Sequence, residues 1–294
     1  MPSLRHIAHQ ILPQTLVSWI QKKKKTKRNK SLAKQAKSGG FTKADLVAQL
    51  NLMGIQEGDV VLVHSALSKM GYVQDGPKTV VESMLEVLGK DGHLLMPTSP
   101  NNGRQLDFMQ SNPVFDVMHS PSRMGAISEY FRKLPGVKRS LHPTESVACL
   151  GPDAEEFVRG HFGALTAYQA DSPFGKVIEK NGKILMIGVT FDNAGTNVHC
   201  LEDAVDFPYP IYHSDIFDAE VIDENGEKHR VQTKIHNPEW SAKRYCDFLI
   251  PVLENDGILR KHKFGEAETL VVDAKAMFEK MKDLLSEGKT IYKV

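Results

Sequence analysis

Cysteine is scarce in this chain. The three present, Cys149, Cys200 and Cys246, form no CxxC pair, which excludes a disulfide framework or a clustered thiolate metal site and makes a reducing cytoplasm the default compartment. Long apolar runs are also missing. None approaches the roughly 18 residues of a membrane-spanning helix. The N-terminus does not have the order of a signal peptide, because His6, His9 and Gln10 interrupt its apolar stretch and the basic block follows it. There is no GxGxxG, no GxxxxGK[ST], no HExxH and no GxSxG elbow at Ser65. The usual dinucleotide, P-loop, zinc-hydrolase and serine-hydrolase readings therefore fail, and no metal is expected. Finally, Asp and Glu are absent from residues 1–40, although the 294-residue chain holds 36 of them.

Those forty residues carry ten of the 37 Lys and Arg, which leaves 27 bases against 36 acids in the rest, a net charge of −9. A basic arm thus precedes an acidic body, and an acidic body suits a cationic or amine-bearing substrate. Residues 1–20 place Leu4, Ile7, Ile11, Leu16 and Ile20 at helical spacing, and 21–40 read as a basic linker closing on Ser38-Gly39-Gly40. The division expected is a basic amphipathic extension over 1–40 and a folded domain over 41–294. The arm is compatible with a peripheral membrane-surface contact through residues 1–37, with a docking extension, or with a nucleic-acid contact. The last is disfavoured by the acidic body and the lack of a binding module.

From Thr42 the pattern is that of an α/β protein. A helix capped by Thr42 leads to a buried strand, Asp59–His64, then a loop with Gly71 and Gly76, a helix over 77–88 and a second strand, His93–Met96. Residues 98–123 lack periodicity and read as a long functional loop. Helices are expected over Met124–Leu134 and Ser241–Glu254. Tyr209–Tyr212, Phe217–Ile222 and His229–Ile235 alternate like antiparallel strands, with Glu224-Asn225-Gly226 as a hairpin turn.

The candidate chemistry gathers at Gly188–Glu202. An apolar strand, Ile184–Ile187, feeds a polar loop that ends in His199 and Glu202, three residues apart. A helix starting near Asn197 puts imidazole and carboxylate on one face. That is an arrangement for general-base catalysis, with Asp192, Glu202 and Asp203 as candidates to hold the ring. A helix cap or a solvated histidine fits the same spacing. His64-Ser65 stands at the carboxyl end of a buried strand, where its loop can hold a phosphate or pantetheine chain or merely cap a turn. His142 precedes Pro143 and is held extended, which serves catalysis or structure equally.

Four ordered blocks carry a further signal: VLVHSALSKMGYVQDGPKTVVESMLEVLGKDGHLLMPT from Val61, PSRMGAISEYFRKLPGVKRSLHPTESVACLGP from Pro121, SPFGKVIEKNGKILMIGVTFDNAGTNVHCLE from Ser172 and FGEAETLVVDAKAM from Phe264. Over roughly residues 42–285 the chain resembles the aminoglycoside 3-N-acetyltransferase family, which is distinct from the GNAT acetyltransferases. The resemblance implies a three-layer α/β/α fold with a mixed central sheet, acetyl-CoA as co-substrate without a metal, and direct transfer to a sugar amine. It points to His64, Ser65, Ala66, Leu67 and Ser68, with Ser146, as cofactor-binding. It makes His199 the base, with Asp192 and Glu202 as supports and His142 as the second choice of base. Ala66 departs from the family's usual His-Ser-Ser loop, and the loop between Asp192 and His199 is about one residue longer than usual. The resemblance leaves a homodimer open. Because the basic arm is not needed by a soluble drug-inactivating enzyme, the acceptor expected is an amino sugar of a bacterial surface glycan. Alternatives are an aminoglycoside and a non-catalytic CoA-binding scaffold.

Overall fold

A computed structural model describes residues 22, 23, 26, 30–101 and 103–293. The amphipathic helix expected over 1–20 lies outside the described residues. The strands are β1 (Val60–Ser65), β2 (His93–Pro97), β3 (Val114–Asp116), β4 (Lys138–Arg139), β5 (Val147–Leu150), β6 (Lys183–Ile187), β7 (Phe217–Ile222), β8 (Lys228–Thr233), β9 (Leu259–Phe264) and β10 (Ala267–Asp273). Seven of them form one sheet in the order β4-β5-β2-β1-β6-β10-β9, and the others form a small sheet, β3-β7-β8. In the large sheet β1 pairs parallel with both β2 and β6, while the outer pairings are antiparallel.

Strand alternation divides this sheet between two cores, as the period of two requires. Val61, Val63, Leu94, Met96, Leu185 and Ile187 face one side, where the helices Lys43–Leu52, Pro77–Leu88 and Ala126–Phe131 cover them. Leu62, Leu95, Ile184 and Met186 face the other, against Phe174 of the helix Pro173–Glu179 and Met277 and Met281 of the helix Ala274–Ser286. The three-layer α/β/α fold with a mixed central sheet is therefore present. Thr42 caps its helix as expected, in a reciprocal box with Asp45.

Between residues 98 and 254 the fold departs from the sequence expectation at four places. Residues 98–123 are not structureless: they contain the helix Gln105–Gln110 and β3. Buried Arg139 ties the segment down, its guanidinium donating to the carbonyls of Thr98, Val117 and Ser120 at 2.6, 3.1 and 2.6 Å. The helix expected over Ser241–Glu254 breaks into Pro238–Ser241, a 3₁₀ turn at Cys246–Phe248 and Leu249–Asn255. Pro251 has no amide hydrogen and fits only a first helical turn, so a new helix must start just before it. The helix expected from Met124 is confined to Ala126–Phe131, because Gly125 at φ +115° is not helical. Tyr209–Tyr212 is no strand and contributes only a bridge from Tyr212 to His236.

The two parallel neighbours of β1 make a topological switch point. The chain goes from β1 to β2 on one side and comes back as β6 on the other, so the loops after β1 and β6 diverge at the strands' carboxyl ends. In open α/β sheets this crevice is where ligands bind. The amide of Ala66 donates to the carbonyl of Ile187 at 2.8 Å, which keeps the two strands together to the rim. At Gly188 (φ +67°) a Cβ would come within 2.6 Å of Lys69 Cβ, so only glycine lets β6 turn away beside the β1 loop.

Candidate active site

His199 closes a 3₁₀ turn, Thr196–His199, and Glu202 lies one turn on in the helix Cys200–Ala204. The ring Nδ1 of His199 meets Glu202 Oε2 at 3.0 Å, with the two residues 6% and 5% exposed. Glu202 Oε2 also accepts from His236 Nε2 at 3.2 Å, and Glu202 Oε1 accepts from the Tyr292 hydroxyl at 2.6 Å. Burial works against ionisation of Glu202, but the contacts with His199 and His236 outweigh it and hold the carboxyl below its ordinary range. For His199, burial is the larger influence and lowers the pKa; Glu202 pulls the other way. The result is a neutral imidazole whose Nδ1–H is held by a carboxylate, which leaves Nε2 as the basic atom. His236 is stacked on Tyr212, with ring centres 5.1 Å apart, and burial lowers it to about 3. His199, Glu202 and His236 offer donor atoms within 4.8 Å of one another. The positive field of Arg244, which acts on both rings, works against a dication there.

A cavity of about 940 Å³ opens at the switch point, at the upper end of the range for small-molecule and cofactor sites. His64, Ser65, Ala66, Leu67 and Ser68 line one wall and Asn193 and Ala194 another. His64 is lowered to about 4 by burial, and its Nε2 lies 3.1 Å from the hydroxyl of Thr196. The cavity wall is thereby joined to the turn that ends in His199. Leu32 also lines the cavity. Residues 30–37, read from the sequence as linker, are helical. They dock through Gln35, which accepts from the Tyr72 amide at 2.8 Å and donates to Glu266 at 2.6 Å.

Three of the residues singled out from the sequence stand elsewhere. Asp192 is exposed, and its Oδ1 accepts from the amides of Cys246 and Asp247 at 2.6 and 3.1 Å rather than meeting His199. His142 is buried against His161, its Nδ1 accepts from the Glu145 amide at 3.1 Å, and its Nε2 lies 3.5 Å from the Thr233 hydroxyl. Ser146 bonds to Thr98 and Arg139 inside the core. Of the carboxylates named for the ring of His199, only Glu202 reaches it. Asp203 instead accepts from Thr166 and Tyr212. Sequence reasoning missed His236, Tyr292 and Tyr168, whose ring centre lies 5.1 Å from that of His199. Their positions, 34 and 90 residues beyond Glu202 in two cases, leave no local spacing to detect.

The model of the aminoglycoside 3-N-acetyltransferase family matches residues 62–286. The chain belongs to this family. It is 34% identical over 173 residues to aminoglycoside N(3)-acetyltransferase IV of Salmonella sp, covering 58% of this chain and 62% of the relative. It is 31% identical over 183 residues to aminoglycoside N(3)-acetyltransferase IX of Micromonospora chalcea, covering 58% and 64%. The chain thus spans less than two thirds of the length of these relatives. Among solved structures, AAC-IIIb, determined as a binary complex with CoASH, superimposes with a TM-score of 0.73 at 25% identity, over 86% of this chain and 99% of that one. AAC-VIa, determined bound to sisomicin, gives 0.71 at 27% identity over 85% and 98%.

Proposed function

We propose that this member of the aminoglycoside 3-N-acetyltransferase family transfers an acetyl group from acetyl-CoA to an amine of an aminoglycoside. The observation that carries the reading is the switch-point cavity joined through His64 and Thr196 to the buried His199–Glu202 pair. A sugar ammonium is not a nucleophile, so a base must take its proton as nitrogen attacks the thioester. His199 Nε2 fills that role, and Glu202 holds the opposite ring nitrogen and the imidazolium that forms. The carbonyl oxygen gains charge in the transition state and needs donors. The amide of Ala66 is occupied by Ile187, so the Ser65 hydroxyl in the cavity wall takes this part. Nitrogen replaces sulfur on the carbonyl carbon, the thiolate of CoA leaves and takes up a proton, and no acyl-enzyme forms.

The surface-glycan amino sugar expected from the basic arm is not the acceptor that the relatives favour. AAC-VIa was solved with sisomicin and an AAC(3)-IVa form with apramycin. The docking of residues 30–37 beside the cavity also gives part of the arm a place in the folded body. The test is release of CoA thiol from acetyl-CoA on addition of sisomicin, apramycin or a simple hexosamine. Release with an aminoglycoside that disappears in His199→Ala is expected. Calorimetric acetyl-CoA binding without release for any aminoglycoside would refute this acceptor. Neither binding nor release would favour a scaffold.

A further inference from the structure

Glu202 is a carboxylate with two differently used oxygens. Oε2 serves His199 and His236, and Oε1 serves Tyr292 alone among the hydrogen bonds of the described residues. Tyr292 stands beyond residue 286, where the family match ends. Its segment is laced to the chain ahead of the helix Leu249–Asn255: the Tyr245 amide donates to the Ile291 carbonyl at 2.8 Å, the Lys293 amide donates to the Lys243 carbonyl at 3.0 Å, and Tyr292 bridges Arg244. The ring is 5% exposed and packs near Trp240 and Phe207, with centres 5.8 and 6.0 Å away.

We propose that Tyr292 is a positioning residue for the acetyl transfer: its hydroxyl pins the Glu202 carboxylate and draws charge from it, and so sets the orientation and proton affinity of His199. This rests on the reading of His199 as the base. A carboxylate bound through one oxygen swings freely about its last torsion; a second bond at Oε1 fixes the plane in which Oε2 meets the ring. A phenol donating to one oxygen also leaves less negative charge on the other to hold a proton on His199. The base then stays neutral, as proton abstraction requires. Other groups face the pair; among them Arg244 also bonds to the Tyr292 hydroxyl and loses that contact on substitution, while the others make none to that hydroxyl. His199 and Asp203 flank Glu202 in the chain, Tyr168 comes from the loop before the helix Pro173–Glu179, Tyr212 from the segment before β7, His236 from the segment after β8, and Arg244 and Cys246 from the strip that the tyrosine bridges.

The experiment uses the full chain with Tyr292→Phe, which keeps the ring and removes the donor, and Tyr292→Leu, which removes both. The His199 ring is titrated by NMR, with its signal assigned by loss in His199→Gln, and the pH profile of kcat/KM is measured with acetyl-CoA and sisomicin. In Tyr292→Phe the His199 titration and the acid limb of the profile should move up together by roughly half a pH unit, within the reach of one hydrogen bond to a charged group. kcat should fall by roughly three- to tenfold while the acceptor KM stays within about twofold, the signature of an interaction that acts in the transition state. Tyr292→Leu should show the same pH shift with a lower melting temperature. An unmoved His199 titration in Tyr292→Phe overturns the proposal and leaves Tyr292 as packing alone. The titration needs no acceptor, so a chain without thiol release would count against the acetyltransferase reading while the link from Tyr292 to His199 is still decided.

Discussion

At the scale of the residue, the site works by setting buried ionisable groups against one another. The proposed mechanism needs His199 as the neutral base, and burial keeps it neutral below the ordinary histidine range. Activity is therefore lost only as pH falls through that lowered value, so the acid limb of a kcat/KM profile should lie below the free-histidine position. His199→Ala should cost roughly 10²–10⁴ in kcat, the usual contribution of general-base catalysis; a loss below about tenfold by thiol release would remove His199 from this role. Glu145 behaves in the opposite sense. Burial raises it to about 7 against the pull of Gln105 and Arg244. The folded state then holds a proton that the unfolded chain releases near the ordinary glutamate value, so its stabilising effect is present at low pH and is lost as pH rises towards 7. Glu145→Gln should leave the melting temperature near that of the parent at pH 5 and raise it by roughly 2–4 °C at pH 8, about 1 kcal/mol for a domain of this size.

At the scale of the element, two devices hold the segments around the site. Arg139 has no carboxylate partner among the hydrogen bonds of the described residues and instead satisfies carbonyls of the 98–123 segment. Burial lowers its pKa to about 9. Arg139→Met would take this donor from the carbonyls of Val117 and Ser120 and leave that of Thr98 to the Ser146 hydroxyl. A stability loss on the order of 3 kcal/mol is expected from denaturant unfolding, with early protease cleavage between 98 and 123. The turn at Gly188 allows β6 to end against the β1 loop. Gly188→Ala combines a positive φ with the clash at Lys69. It should cost on the order of 1–3 kcal/mol in the same unfolding experiment and weaken acetyl-CoA binding, since Lys69 adjoins the wall formed by Leu67 and Ser68.

At the scale of the whole molecule, residues 30–37 of the basic arm pack on the acidic body. No helix among the described residues is long and apolar enough to cross a membrane. The last stretch of the arm is a helix that puts Leu32 in the cavity wall, while Lys30, Lys34 and Lys37 remain exposed. Removal of residues 1–29 should leave acetyl-CoA affinity close to that of the full chain. Removal of 1–38 should weaken it by roughly tenfold, through loss of both the Leu32 wall and the Gln35 clamp on Tyr72, about 1.4 kcal/mol. Equal affinities by calorimetry would show that the docked helix does not contribute to the site.

The order of strands and helices over 42–98, the Thr42 cap, the strand entering Gly188 and the His199–Glu202 pairing were all legible in the sequence. Each rests on spacing within one element or across one turn, and local patterning suffices for that. Four ordered blocks were enough to point to the family and its layered fold. The sequence alone did not show that Asp192 serves the amides of Cys246 and Asp247, that His142 is buried against His161, or that Ser146 belongs to the Arg139 cluster. Hydrogen-bond partners of a polar side chain are chosen by what the fold brings within about 3 Å, and these partners are mostly distant in sequence. The same holds for His236 and Tyr292 on Glu202, and for Leu32 and residues 123–126 in a cavity whose other walls include the loops after β1 and β6. The ends of β1 and β6 determined where a site could form; only the tertiary structure decided which side chains would complete it.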